Sequence, residues 1–90
     1  MTPRRAARAD RNQAQIVAAL RKAGATVQHL HTVGRGCPDL LVGVDGKNYL
    51  LEVKADGGQL TEDERAWFDG WLGLAVVVRS PEEALQAIGR

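Results

Sequence analysis

The dipeptide Asp45-Gly46 separates two apolar runs, Leu40 to Val44 and Tyr49 to Leu51. A two-residue type I′ hairpin loop requires positive φ at both central positions, and Asp-Gly is among the few dipeptides that accept this. Taking Asp45 and Gly46 as those positions fixes every cross-strand pair: Val44 faces Lys47, Val42 faces Tyr49, Leu40 faces Leu51 and Asp39 faces Glu52. Directly opposed residues leave the same side of a sheet with their Cβ atoms about 4.5 to 5.5 Å apart. Period two adds Lys54 to the side of Asp39 and Glu52, while Leu40, Val42, Tyr49, Leu51 and Val53 take the other. The strands are read as Asp39 to Val44 and Asn48 to Lys54.

The remaining elements follow from caps and periodicity. Asp10 with Gln13 reads as a capping box for a first helix carrying Ile16, Val17, Leu20 and Ala23 on one face, stopped by Gly24. Thr26 to Val33 reads as a first strand interrupted by Gln28, His29 and His31, and Gly34 to Pro38 as an irregular link. Ala55 to Gln59 is a second link. Thr61 and Glu64 form another capping box, opening a helix with Ala66, Trp67, Phe68, Trp71 and Leu72. Leu74 to Arg79 reads as a strand buried on both faces, and Ser80-Pro81-Glu82-Glu83 opens a last helix through Leu85 and Ile88. The predicted class is α/β, a mixed central sheet flanked by helices in the order α-β-β-β-α-β-α.

Ninety residues leave room for one domain, read as 10–90 behind a basic arm at 1–9. No apolar run is long enough to span a bilayer, and none follows the arm to make an export signal, so no membrane partner is expected. A single cysteine, Cys37, excludes an internal disulfide and a Cys-rich zinc site, and a cytoplasmic, reducing location is the default, in the host cell if the chain is phage-encoded. The net charge is only +1, but it is sorted: residues 1–47 hold eight bases and three acids, residues 48–90 four bases and eight acids. Arg4, Arg5, Arg8 and Arg11 suit a polyanion. Neither a G-x-G-x-x-G nor a P-loop pattern occurs, which assigns the glycines to turns.

Two carboxylates set opposite one another repel, and drying them adds a desolvation cost unless positive charge is at hand. One reading is structural: Asp39 starts a strand, Glu52 sits on a partly wet face and Lys54 neutralises it. The other is a divalent cation bridging Asp39 and Glu52 and taking the Val53 carbonyl, a hard oxygen set suited to Mg²⁺ or Mn²⁺. Such an ion lowers the pKa of bound water, and Lys54 beside it would orient or deprotonate that water, or stabilise charge on a phosphoryl group under attack.

Gly36, Pro38, Asp39, Leu40, Leu41, Val42 and Gly43, with Leu51-Glu52-Val53-Lys54 and Leu60-Thr61, resemble the VRR-NUC type of restriction-endonuclease-like nuclease in the PD-(D/E)xK superfamily, known from small phage and bacterial proteins. The likeness covers nearly the whole chain. It implies a restriction-endonuclease-like fold, metal-dependent hydrolysis of DNA with a preference for branched, flapped or junction substrates, Mg²⁺ or Mn²⁺ as cofactor, and a homodimer. The family's metal-binding aspartate falls on Asp39, the acid of its E-x-K pair on Glu52 and its catalytic lysine on Lys54. Its first-helix acid is replaced here by Asn12, Gln13 or Gln15, of which Gln13 is taken as the site residue. Its glutamine in the helix after the lysine strand corresponds to Glu64. The alternative the same pattern allows is a catalytically weak or inactive module that binds DNA structures.

Several residues carry secondary expectations. Arg35, between Gly34 and Gly36, would reach a phosphate from a flexible loop. His29 and His31 lack a third ligand at metal spacing and read as polar-face or substrate-contacting residues. Cys37 reads as a small buried hydrophobe. Trp67 and Trp71 are i, i+4 partners with more apolar area than one small core absorbs, which favours a second subunit.

Overall fold

The computed structural model describes residues 4–90, with side chains from residue 11 onward. Helix α1 spans Arg4–Lys22, strand β1 Thr26–His29, β2 Leu40–Val44, β3 Lys47–Val53, helix α2 Glu62–Gly70, strand β4 Ala75–Val78 and helix α3 Pro81–Ala87. The order is the predicted α-β-β-β-α-β-α, and the result is a small mixed α/β domain. Its four strands lie in the order β1-β2-β3-β4, antiparallel from β1 to β3, with β4 parallel to β3. Among the described residues no helix is long and apolar enough to cross a membrane.

The hairpin sits in the register that the turn dictates. Asp45 has φ 54° and Gly46 φ 75°, and Leu40 pairs with Leu51, Val42 with Tyr49 and Val44 with Lys47. Alternation then sends Leu40, Val42, Val44, Leu51 and Val53 to one face. There they pack with Val78, with Ile16, Val17 and Leu20 of α1, and with Ala84 and Ile88 after β4. Each Leu or Ile so buried contributes about 1.5 to 3 kcal/mol. Asn12 fastens α1 to the ends of two strands: its amide nitrogen donates to the carbonyls of Lys54, at 3.0 Å, and Arg79, at 3.2 Å.

Three expectations about element ends are corrected. Helix α1 begins at Arg4, so Asp10 lies inside it and does not cap it. The backbone over 4–9 continues the helix, while the side chains of Arg4, Arg5 and Arg8 lie outside the described residues. Strand β1 ends at His29. The chain then makes one further bond to β2, Leu30 N–H to the Asp39 carbonyl at 2.8 Å, before turning through Val33 to Leu30 at 3.0 Å and Cys37 to Gly34 at 3.1 Å. Positive φ at Gly34, Arg35 and Gly36 prevents strand geometry there. Strand β4 is not buried on both faces: only Val78 is fully buried, because β4 is an edge strand and α2 on its outer side contributes no fully buried residue.

The link before β2 is pinned at Gly36. Its φ is 80°, and a Cβ there would lie 2.2 Å from the Asp63 carbonyl oxygen in the first turn of α2. Gly36→Ala is therefore expected to lower stability by about 2 kcal/mol or more, read by denaturant unfolding. A variant as stable as the parent would mean that this backbone approach is not made.

Candidate functional site

The site is built at one end of the β2–β3 hairpin. Asp39 immediately precedes β2, and Glu52 and Lys54 lie at the end of β3. The Val53 amide donates to Asp39 Oδ2 at 2.8 Å, which turns the aspartate toward β3. Both N–H and C=O of a strand residue leave toward the same neighbouring strand, so the Val53 carbonyl emerges on the edge where Asp39 lies. Glu52 is only 2% exposed. Its Oε2 lies 3.8 Å from Lys54 Nζ, and its Oε1 is buried with no hydrogen-bond partner.

That arrangement perturbs the Glu52 carboxyl strongly. Burial, then the negative charge of Asp39, a hydrogen bond shared with Asp39 and the charge of Glu64 push its pKa up to about 9, against the opposing pull of Lys54. The two carboxyls therefore meet on the same face, as the hairpin register requires. The neighbouring Cys37 is half-buried, and its thiol pKa is raised by burial and by the charges of Glu52 and Asp39. It stands beside the pair as a neutral thiol, not as the fully buried hydrophobe expected.

Lys54 is held from a second direction. Its Nζ lies 2.7 Å from Glu64 Oε1, and that same oxygen accepts from the Thr61 amide at 2.8 Å while Glu64 N–H donates to Thr61 Oγ1 at 3.2 Å. Glu64 thus closes the capping box of α2 and pairs with the lysine. Burial alone would raise its pKa, but the hydrogen bonds from Lys54 and Thr61 and the charge of Lys54 bring it below the usual value. Arg79 supports the link that follows Lys54. One guanidinium nitrogen donates to the carbonyls of Ala55, at 2.9 Å, and Gly58, at 2.7 Å.

Gln13 is not brought to the trio. It lines a cleft with Val17, Arg21 and His29 between α1 and the end of β1. The first-helix residue that reaches the strand end is Asn12, through backbone carbonyls. Arg35 is exposed with φ 56°, an unfavourable conformation for a non-glycine residue, and Arg11 is exposed on α1. The supporting roles of Asn12 and Arg79 are missing from the sequence reading. Asn12 was visible there as a polar residue in the first helix, but nothing local marks Arg79, whose partners lie more than twenty residues away.

The donors on offer for a metal are the carboxylates of Asp39 and Glu52 and the Val53 carbonyl. All are hard oxygens, and the unpartnered Glu52 Oε1 is what a cation or its water would satisfy. Among the described residues no group of three or more His, Cys, Asp or Glu side chains converges to hold an ion. The fit is thus to a cation that keeps several waters, as Mg²⁺ commonly does. Comparison of the chain with family models, curated proteins and solved structures finds no match.

Proposed function

We propose that this protein is a metal-dependent nuclease of restriction-endonuclease-like fold that hydrolyses phosphodiester bonds in DNA, acting as an endonuclease on branched, flapped or junction structures. The observation that carries the reading is the buried, unpartnered Oε1 of Glu52, on a carboxylate that faces Asp39 and has Lys54 beside it. A strand pair that needed only structural stability would gain by replacing Glu52 with an apolar residue.

Asp39, Glu52 and the Val53 carbonyl would hold Mg²⁺ or Mn²⁺. When bound, the ion supplies Lewis acidity and lowers the pKa of a coordinated water. Lys54, at the rim of the pair, donates to an oxygen of the scissile phosphate or orients the attacking water. Glu64 fixes the lysine's rotamer through the 2.7 Å contact. Arg35 and Arg11, with Arg4, Arg5 and Arg8 ahead of them, would contact the sugar-phosphate backbone without reading bases.

The deciding assay incubates the purified protein with linear, flapped and four-way-junction DNA in Mg²⁺ or Mn²⁺. Cleavage is expected on at least one substrate and is abolished by chelator. Salt-sensitive binding that survives chelation, with no cleavage of any substrate, would establish the inactive DNA-binding module instead.

A homodimer belongs to the same proposal. Trp67 and Trp71 stack at 4.7 Å, and beyond them Trp71 is 45%, Leu72 100% and Leu74 58% exposed. An apolar group of this kind on a small surface suits a second copy. Leu72→Asp is expected to shift the protein from dimer to monomer in sedimentation. A monomeric parent, or a dimer indifferent to the substitution, would remove this part of the proposal.

A further inference from the structure

The cleft that holds Gln13 has features that the hydrolytic centre does not use. Its volume is about 350 Å³, and its floor is Ala14, Val17 and Ala18, with Gln13, Arg21 and His29 around it. Gln13, Val17 and Arg21 recur every fourth residue and so align along one side of α1. The chemistry is mixed in a particular way: an apolar surface, a planar imidazole, a planar guanidinium and an amide able both to donate and to accept. Planar groups of this kind stack on unpaired bases, while an amide bonds a base edge.

The cleft also opens at the same end of the sheet as the carboxylate pair. His29 pairs with Leu40, which pairs with Leu51, and Asp39 and Glu52 are the next residues along. Two inter-strand spacings separate His29 from Leu51, about 10 Å. A nucleic-acid strand covers that distance in about three duplex steps of 3.4 Å, and in fewer once unstacked. Arg21 and His29 also belong to the half of the chain where bases outnumber acids, which suits a polyanionic strand.

We infer that this cleft takes an unpaired nucleobase of the DNA strand flanking the scissile phosphate, stacked against His29 and Arg21 over Ala14 and Ala18, with Gln13 bonding its edge. The inference rests on the nuclease reading for the direction of the strand. It supplies what that reading leaves open, a physical reason for preferring branched or flapped DNA, since only there is a base free to leave the stack.

The test measures binding, without metal, of a fluorescein-labelled flapped duplex and of versions with one abasic nucleotide at successive positions from the branch point. One abasic position is expected to weaken binding about fivefold or more, the lower end of what one stacked base contributes. His29→Ala, Gln13→Ala and Arg21→Ala should each reduce that difference, and Ala14→Leu, which fills the floor, should do the same. His29, Arg21 and Ala14 are exposed and Gln13 is partly so, so an unchanged circular dichroism melt is expected to accompany each variant. Equal binding of intact and abasic DNA at every position, or a base preference that survives all four substitutions, would overturn the inference. The Asp39→Asn protein separates the two proposals: it should lose cleavage and keep the base preference. A parent protein that shows the base preference but never cleaves sinks the nuclease reading and leaves the cleft standing.

Discussion

Asp39→Asn is expected to lower DNA cleavage by at least about 100-fold, the loss that follows from removing several kcal/mol of charge stabilisation at the reacting phosphate. The carboxamide keeps the size and can still accept from the Val53 amide, which now binds Asp39 Oδ2 at 2.8 Å. What it loses is the negative charge that a cation needs. Glu52→Gln should act likewise for the same reason. Lys54→Ala should fall by about 100-fold or more if the ammonium moves a proton or stabilises charge at the phosphate. Single-turnover cleavage of the best substrate, beside a thermal melt of each variant, is the measurement. Folded variants that cleave at the parent's rate would put the active site elsewhere.

Stability without metal should fall as the pH rises from 5 to 9, and Glu52→Gln should flatten that fall. The sign follows from Glu52, whose pKa is about 9 in the folded chain and 4.5 for the free side chain. Between those values the folded protein keeps a proton that the unfolded chain has released. Stability from this group is therefore fully present below about pH 4.5 and is lost progressively as the pH climbs through the interval. A loss of about 2 kcal/mol, well below the ceiling that so large a shift implies, would lower the melting midpoint by roughly 8 °C or more for a domain of this size. The glutamine carries no proton to lose and should be the more stable protein at pH 8. Mg²⁺ or Mn²⁺ should restore the parent at high pH, where the cation takes the place of the proton. Parent and Glu52→Gln melts that run parallel from pH 5 to 9 in chelator would rule out the buried, proton-sharing pair. Glu64 works in the opposite sense, since its lowered pKa withdraws stability only at the acid end.

The two findings differ in how far the sequence announces them. The hairpin register was readable because Asp45-Gly46 admits few backbone conformations and a two-residue loop leaves no freedom in the pairing. From it followed the shared face of Asp39, Glu52 and Lys54. The capping box at Thr61 and Glu64 was readable for a similar reason, its donors and acceptors lying within one turn. The start of α1 was not, because Arg and Ala residues ahead of Asp10 propagate a helix as readily as they form an arm. The short β1 was hidden because its β-branched residues run on past His29 to a link whose conformation is set by Gly34 and Gly36. Asn12, Arg79 and the cleft around Gln13 depend on contacts between distant segments, which no local pattern encodes.

Helix α2 carries Glu64, yet none of its residues is fully buried, and its firmest attachments are at its first turn. Segments held in this way open in sub-global steps at a fraction of the free energy needed to unfold the whole molecule. Each such opening would release the lysine from its carboxylate clamp while the hairpin stays folded. The ammonium would then alternate between a tethered rotamer and a free one, and the pace of that alternation would be set by the helix, not by the strands beneath it.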